Sequence, residues 1–375
     1  MVLLVAVFAA AAVLSLVLTP LVRCLARRFD VMDQPGARRV HASPIPRGGG
    51  LAVAAAFITV AGVTLLVLPG QSMVVSATLS AREIAALLLG GALAAVLGTI
   101  DDWFDLRARW QLAGQLLLAA FAVSLGITVE VLANPFGSGV IELGGMFGIA
   151  FTVVWITGMI NSINFIDGLD GLSSGVALIG ALTLAIISLA GPVVQPEIAV
   201  VCLAFAGSLA GFLRWNFHPA TIFMGTSGVM FMGYTLALLS ILGTAKVAVA
   251  LLVLGVPIID TFWIIVRRLV AGRSPFSPDR GHIHHRLLDL GLSHTQTVLL
   301  IYVLCAALAV LSLVLSGSGQ LYAFVGVLVI FGLVLLLLER TADKGEEEAE
   351  ARAGEAEAAV SQAEAGGGER AEARR

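Results

Sequence analysis

Residues 146–172 read MFGIAFTVVWITGMINSINFIDGLDGL. The stretch opens as an apolar run long enough for a helix across a bilayer core, which takes about 20 such residues. It then closes on Asn161, Asn164, Asp167 and Asp170, spaced by three, with two Asp-Gly-Leu copies at the end. On a helix that spacing brings side chains to one face. Amides and carboxylates at the mouth of a membrane helix are costly unless they face a cavity, a ligand or one another. The stretch therefore predicts a spanning helix that opens onto a polar site.

Ten more apolar runs lie around it, near residues 2–22, 51–68, 83–100, 111–127, 171–190, 197–213, 224–243, 246–266, 297–316 and 319–338. Hydrophobic residues make up 58% of the 375 and charged ones only 13%, about half the charge of a soluble domain. The expected fold is an all-α polytopic membrane protein of about eleven spans. The first run lacks a basic start and a small-residue cleavage site, so it reads as a retained helix rather than a signal peptide.

The segments between runs alternate in character. Of the 22 Lys and Arg, all but Arg82 and Lys246 fall in 23–50, 101–110, 163–170, 214–223, 267–296 and the tail from 339. Lys and Arg collect on the cytoplasmic side of bacterial membranes. That places the N-terminus outside and the C-terminus inside, which an odd helix number satisfies. The expected organisation is a transmembrane domain over 1–338 and an Ala/Glu/Gly/Arg-rich disordered cytoplasmic tail over 339–375, with little to bury. Cys24, Cys202 and Cys305 are far apart and fit neither a zinc site nor a disulfide framework. A net charge of −3 gives no footprint for nucleic acid.

Chemistry-bearing residues gather in the charged set. Asp101 and Asp102 end the third run; adjacent carboxylates raise each other's pKa unless they share a proton or a cation. Mg²⁺ suits such oxygen donors, and one acid could instead serve as a general base. Solvated helix-end acids are the bland alternative. Arg280, His282, His284, His285 and Arg286 crowd one loop and suit phosphate oxygens; contact with anionic headgroups or zinc are the other readings. In the first charged loop, Arg39, His41 and Arg47 flank prolines, with Gly48-Gly49-Gly50 able to bring backbone close to an anion or to another helix. Asp260, inside the ninth run, reads either as a functional intramembrane acid or as the ion partner of Arg267 and Arg268.

In order along the chain, these motifs resemble the polyprenyl-phosphate N-acetylhexosamine-1-phosphate transferases. The resemblance runs from about residue 30 to 292. It rests on Asp33-x-Pro with Arg39-x-His41 and Pro46-x-Gly48-Gly49; Asp101-Asp102; Asn161-x-x-Asn164-x-x-Asp167-Gly-Leu-Asp170-Gly; Met224-Gly225; and Asp279-Arg280-x-His282-Ile-His284-His285-Arg286. The His-Ile-His-His form is similar to the branch that starts O-antigen, teichoic acid and related envelope polymers. The phospho-N-acetylmuramoyl-pentapeptide transferases are the nearest alternative.

The resemblance implies transfer of N-acetylhexosamine-1-phosphate from a UDP-sugar, UDP-GlcNAc first, to a polyprenyl phosphate. The reaction would occur at the cytoplasmic face of the bacterial inner membrane, with Mg²⁺ or Mn²⁺, and a homodimer, common among membrane enzymes of this kind, is expected. It also implies roles. Asp101 and Asp102 would act on the lipid phosphate with Arg39, His41 and Arg47 beside it. Asn164 and the residue at 226 would hold the metal. Asn161, Asp167, Asp170, Arg280, His282, His284 and His285 would bind the nucleotide sugar. One position departs: Thr226 stands where the family's Met-Gly-Asp motif carries its metal-binding acid. An engineered inactive variant, a rearranged natural site and a catalytically impaired member all fit that departure. Rivals from other classes are a lipid flippase or transporter, which predicts inverted repeats, and a non-catalytic nucleotide binder.

Overall fold

The structure is a computed structural model. It describes residues 1–34, 43–67, 79–134, 139–190, 193–243, 246–270, 272, 282–315 and 318–334. Each of the eleven apolar runs is mainly helical where described, with ends and one break outside the helices. Among the described residues, seven helices are long and apolar enough to cross a membrane, or eight if one bent pair is a single span. Met1–Val327 forms one unit; of the second, which begins at Leu328, only residues up to 334 are described.

Helix α1 (Val2–Arg28) shows the solvent preference of the whole bundle. Val5, Val13 and Val17 are exposed while Ser15 and Thr19 are buried. Apolar groups face outward and hydroxyls inward, as expected where the surroundings are hydrocarbon. Arg27 and Arg28 close the last turn, where cations complement the helix dipole. A helix with a π-helical end follows (α2, Gly50–Gly62, then Val63–Val67), which falls short of spanning length by itself.

Helix α3 (Ala81–Phe104) begins with a capping box. Glu83 N–H donates to Ser80 Oγ at 3.2 Å, and Ser80 N–H donates to Glu83 Oε2 at 2.7 Å. It stops at Asp105, which takes a left-handed φ of 49°. After α4 (Ala108–Ser124) and the hairpin β3–β4 (Val131–Ala133, Val140–Glu142) come α5 (Gly145–Ile166), α6 (Leu172–Ala190) and α7 (Pro196–Asn216). An earlier hairpin, β1–β2 (Met32–Asp33, Ile45–Pro46), lies between α1 and α2.

Helix α8 (Gly225–Leu242) is the buried axis of the bundle and packs on α3, α5 and α2. Its Tyr234 hydroxyl donates to the carbonyl of Ala86 on α3 at 2.8 Å. The ninth apolar run is broken into α9 (Lys246–Val253) and α10 (Gly255–Val270), bent by 80°. Pro257 explains the break: it has no N–H to return to the carbonyl of Val253 one turn back. Helices α11 (Ile283–Asp289), α12 (His294–Val314) and α13 (Ser318–Val334) complete the described chain.

Candidate active site

A cavity of about 660 Å³ opens at one end of the bundle, lined from five separate segments. The first is the β1–β2 hairpin, where Asp33 and Arg47 pair at 3.3 Å and both line the cavity. This hairpin is zipped to the loop before α8. Phe223 N–H donates to Pro46 O, Gly49 N–H to Phe223 O and Gly50 N–H to Met224 O, at 2.8–3.0 Å. A Cβ on Gly50 would fall 2.0 Å from Gly228 Cα. At positions 49 and 50, then, glycine brings two pieces of the protein together rather than backbone to a ligand.

The adjacent acids at the end of α3 divide their work, because consecutive helical positions do not face the same way. Asp102 reaches the N-terminus of α8, accepting from Thr226 N–H at 2.8 Å and Ser227 N–H at 3.0 Å. These are donors that no intrahelical carbonyl satisfies. Gly225 makes this approach feasible. It holds φ at +74°, and a Cβ there would sit 2.6 Å from Asp102 Oδ2. Asp102 and Thr226 line the cavity side by side. Asp101 turns away, accepting from Leu106 N–H at 3.1 Å and Gln111 Nε2 at 2.9 Å, which holds the turn into α4.

The Asn-Asn-Asp-Asp series does not present a single face, because α5 ends at Ile166. Asn161 donates to Gln115 Oε1 at 2.7 Å and lines a second cavity of about 650 Å³. Asn164 borders both cavities. Asp167 and Asp170, in the turn beyond the helix, line the first. Asp167 accepts a short hydrogen bond from the Ser173 hydroxyl. Its pKa is nonetheless pushed up to about 7, chiefly by burial, with the charges of Asp102, Asp170 and Asp33 adding to it.

The three clustered histidines separate likewise. His285 lines the first cavity and His282 the second. His284 lies between them, buried against Gly168, where a Cβ would meet its Nε2 at 2.3 Å. Burial, with His285, His282 and His294 nearby, holds the His284 pKa well below its usual value, so this ring is neutral rather than a cationic clamp. Asp260 accepts from His282 Nδ1 at 2.8 Å and from Ile283 N–H at 2.9 Å. These bonds place Asp260 against the histidine segment.

Two histidines that the sequence reading did not select join the site. His218 Nδ1 is 2.8 Å from Asp170 Oδ2, and His294 Nε2 accepts from Asp170 N–H at 2.9 Å. A ligand atom from each of Asp170, His218 and His294 lies within 4.8 Å of the others. The two rings are stacked, however, 4.3 Å apart and 22° from parallel. Ring-plane lone pairs on stacked imidazoles run side by side, so the group is better matched to hydrogen bonding than to one metal ion. A polar residue in an otherwise bland loop, two past Asn216, was the available signal for His218. Arg39, His41 and Arg280 lie outside the described residues.

The second cavity runs between α4, α5 and α10. Leu112, Leu116, Val153, Val154 and Ile265 give it apolar walls, while Asn161, Asn164, Arg268 and His282 make one part polar.

The chain is similar to known proteins along most of its length. The profile of glycosyl transferase family 4 matches residues 84–244. A probable undecaprenyl-phosphate N-acetylglucosaminyl 1-phosphate transferase of Bacillus subtilis is 37% identical over 329 residues, covering 86% of this chain and 87% of that protein. A decaprenyl-phosphate N-acetylglucosaminephosphotransferase of Mycolicibacterium smegmatis is 36% identical over 366 residues, 90% and 89% of the two chains. An undecaprenyl-phosphate alpha-N-acetylglucosaminyl 1-phosphate transferase of Thermotoga maritima is 30% identical over 335 residues, 89% and 97%.

Proposed function

The chain belongs to glycosyl transferase family 4, and from that premise we propose that it moves N-acetylglucosamine 1-phosphate from UDP-GlcNAc to a polyprenyl phosphate. The observation that carries the reading is the pair of cavities meeting at Asn164, one ringed by acids, Arg47 and His285, the other walled by apolar side chains. A water-soluble diphosphate and an isoprenoid phosphate need such unlike compartments with their phosphates adjacent.

In this reading the acceptor phosphate oxygen attacks the β-phosphorus, the bond between the two phosphoryl groups breaks, and UMP leaves. The isoprenoid chain occupies the apolar cavity, and the nucleotide sugar occupies the first. Asp102, Asn164, Asp167 and Thr226 offer oxygen donors suited to a hard divalent cation, which supports Mg²⁺ as the metal. Such an ion supplies charge neutralisation for phosphoryl oxygens. Arg47 and His285 add positive or hydrogen-bonding groups, and the enclosed polar walls orient the diphosphate. Eleven spans with the cavity on the cytoplasmic side, N-terminus outside, and a homodimer complete the proposal; the charge asymmetry of the loops supports the orientation.

The test is purified protein in lipid nanodiscs, supplied with polyprenyl phosphate and a panel of UDP-sugars. UMP and lipid-linked sugar pyrophosphate should appear together with UDP-GlcNAc and require Mg²⁺. Preference for UDP-N-acetylmuramoyl-pentapeptide would move the chain to the neighbouring branch. Thr226 favours one second reading: donor binding without turnover would make the chain a non-catalytic relative.

A further inference from the structure

We propose that Asp260 is a positioning residue for this transfer, fixing His282 in the tautomer that leaves its Nε2 as an acceptor at the apolar cavity. The inference rests on the transferase reading for its chemistry but on separate residues for its geometry. Asp260 lies on α10, close after the 80° break, and is fully buried. Both of its oxygens are engaged, one by His282 Nδ1 at 2.8 Å and the other by Ile283 N–H at 2.9 Å.

A carboxylate accepts but does not donate. It therefore places a proton on His282 Nδ1 and leaves Nε2 as the lone-pair nitrogen of the neutral ring. The second bond, to the first backbone N–H of α11, fixes where that ring stands. A cap for α11 would need only the Ile283 bond; the oxygen committed to a ring nitrogen sets the chemistry of a cavity-lining side chain. His282 is 8% exposed, with the Phe165 ring centroid at 5.4 Å and that of His284 at 5.5 Å. The cavity that it lines also holds Asn161, Asn164 and Arg268.

The step this permits is specific. A singly protonated acceptor phosphate gives its P–OH proton to His282 Nε2 as the phosphate oxygen forms its bond to the β-phosphorus. The electron pair of the breaking phosphoanhydride bond leaves with UMP. The proton then passes from Nε2 to solvent. Asp260 stabilises the imidazolium formed in between, as a carboxylate behind an imidazole generally does.

Asp260→Asn is the discriminating variant. The amide is isosteric and keeps an acceptor for Ile283 N–H, but its NH₂ faces His282 Nδ1 and forces the proton onto Nε2. Turnover should fall about a hundredfold, the lower end of what a lost general base costs, with KM for the nucleotide sugar unchanged. Adding Asp260→Asn to His282→Gln should cost nothing further. Independently of turnover, ¹⁵N spectra of histidine-labelled protein, with His282 identified by its loss in His282→Gln, should show Nδ1 protonated in the parent and Nε2 protonated in Asp260→Asn. Normal turnover in Asp260→Asn, additive losses in the double variant, or a parent His282 protonated only at Nε2 would each overturn the proposal. If neither the parent nor Thr226→Asp releases UMP, the transferase reading fails, and the spectra still decide the tautomer.

Discussion

Thr226→Asp should make the folding stability of this protein depend on a divalent cation far more than the parent's does. Thr226 N–H sits 2.8 Å from Asp102 Oδ1, so a carboxylate on residue 226 comes within about 5 Å of the Asp102 carboxylate. At an effective dielectric of about 20, two like charges at that distance repel by about 3 kcal/mol. The N-terminus of α8 returns about 1 kcal/mol to an added acid. The metal-free variant should therefore be about 2 kcal/mol less stable than the parent. A cation held between the two acids reverses the sign, and at about 100 times its Kd it adds about 2.7 kcal/mol. Thermal unfolding in nanodiscs measures this: with EDTA the variant should melt below the parent, and with saturating Mg²⁺ it should gain much more than the parent does. Mg²⁺-dependent UMP release should rise with it. Equal melting in both conditions, together with a parent that already turns over fast, would refute the reasoning that position 226 lacks a metal ligand.

Other perturbations follow from single contacts. Asp102→Asn sets an NH₂ against one of the two backbone N–H groups of α8; losing a charge-assisted bond there costs about 2 kcal/mol, and UMP release should fall at least tenfold. Gly168→Ala places a Cβ 2.3 Å from His284 Nε2, so it should displace α11 and raise KM for the nucleotide sugar while the protein still folds. The raised pKa of Asp167, about 7, favours the folded state while the group stays protonated. Its contribution is full below about pH 4, is lost as pH rises towards 7 and is flat beyond. The difference in melting temperature between the parent and Asp167→Asn should show that slope in metal-free buffer.

The helical bundle was legible because apolar runs of spanning length leave few alternatives in a bilayer. Span length was harder to read: hydropathy alone cannot show that Pro257 breaks one run into α9 and α10, or that α2 passes into a π-helical turn. At the site, motif order identified the segments but not their division. Asp101 and Asp102 look equivalent in sequence, yet a rotation of about 100° per residue sends one to Gln111 and the other to α8. Asn161 and Asp167 part company because α5 ends between them. His218 and His294 carry no motif of their own, and only the fold brings them to Asp170. Asp260 was readable either as a functional intramembrane acid or as a partner of Arg267 and Arg268; its partners His282 and Ile283, at the start of α11, could not be inferred from those nearby residues.

The central claim is that the bond broken lies between the two phosphoryl groups of the nucleotide sugar. Following UDP-GlcNAc labelled at the β-phosphate through a single turnover with polyprenyl phosphate tests it directly. The account predicts that the label enters the lipid as a sugar-linked pyrophosphate while unlabelled UMP is released in equal amount. Label recovered in UDP, with the sugar alone transferred to the lipid, would contradict it.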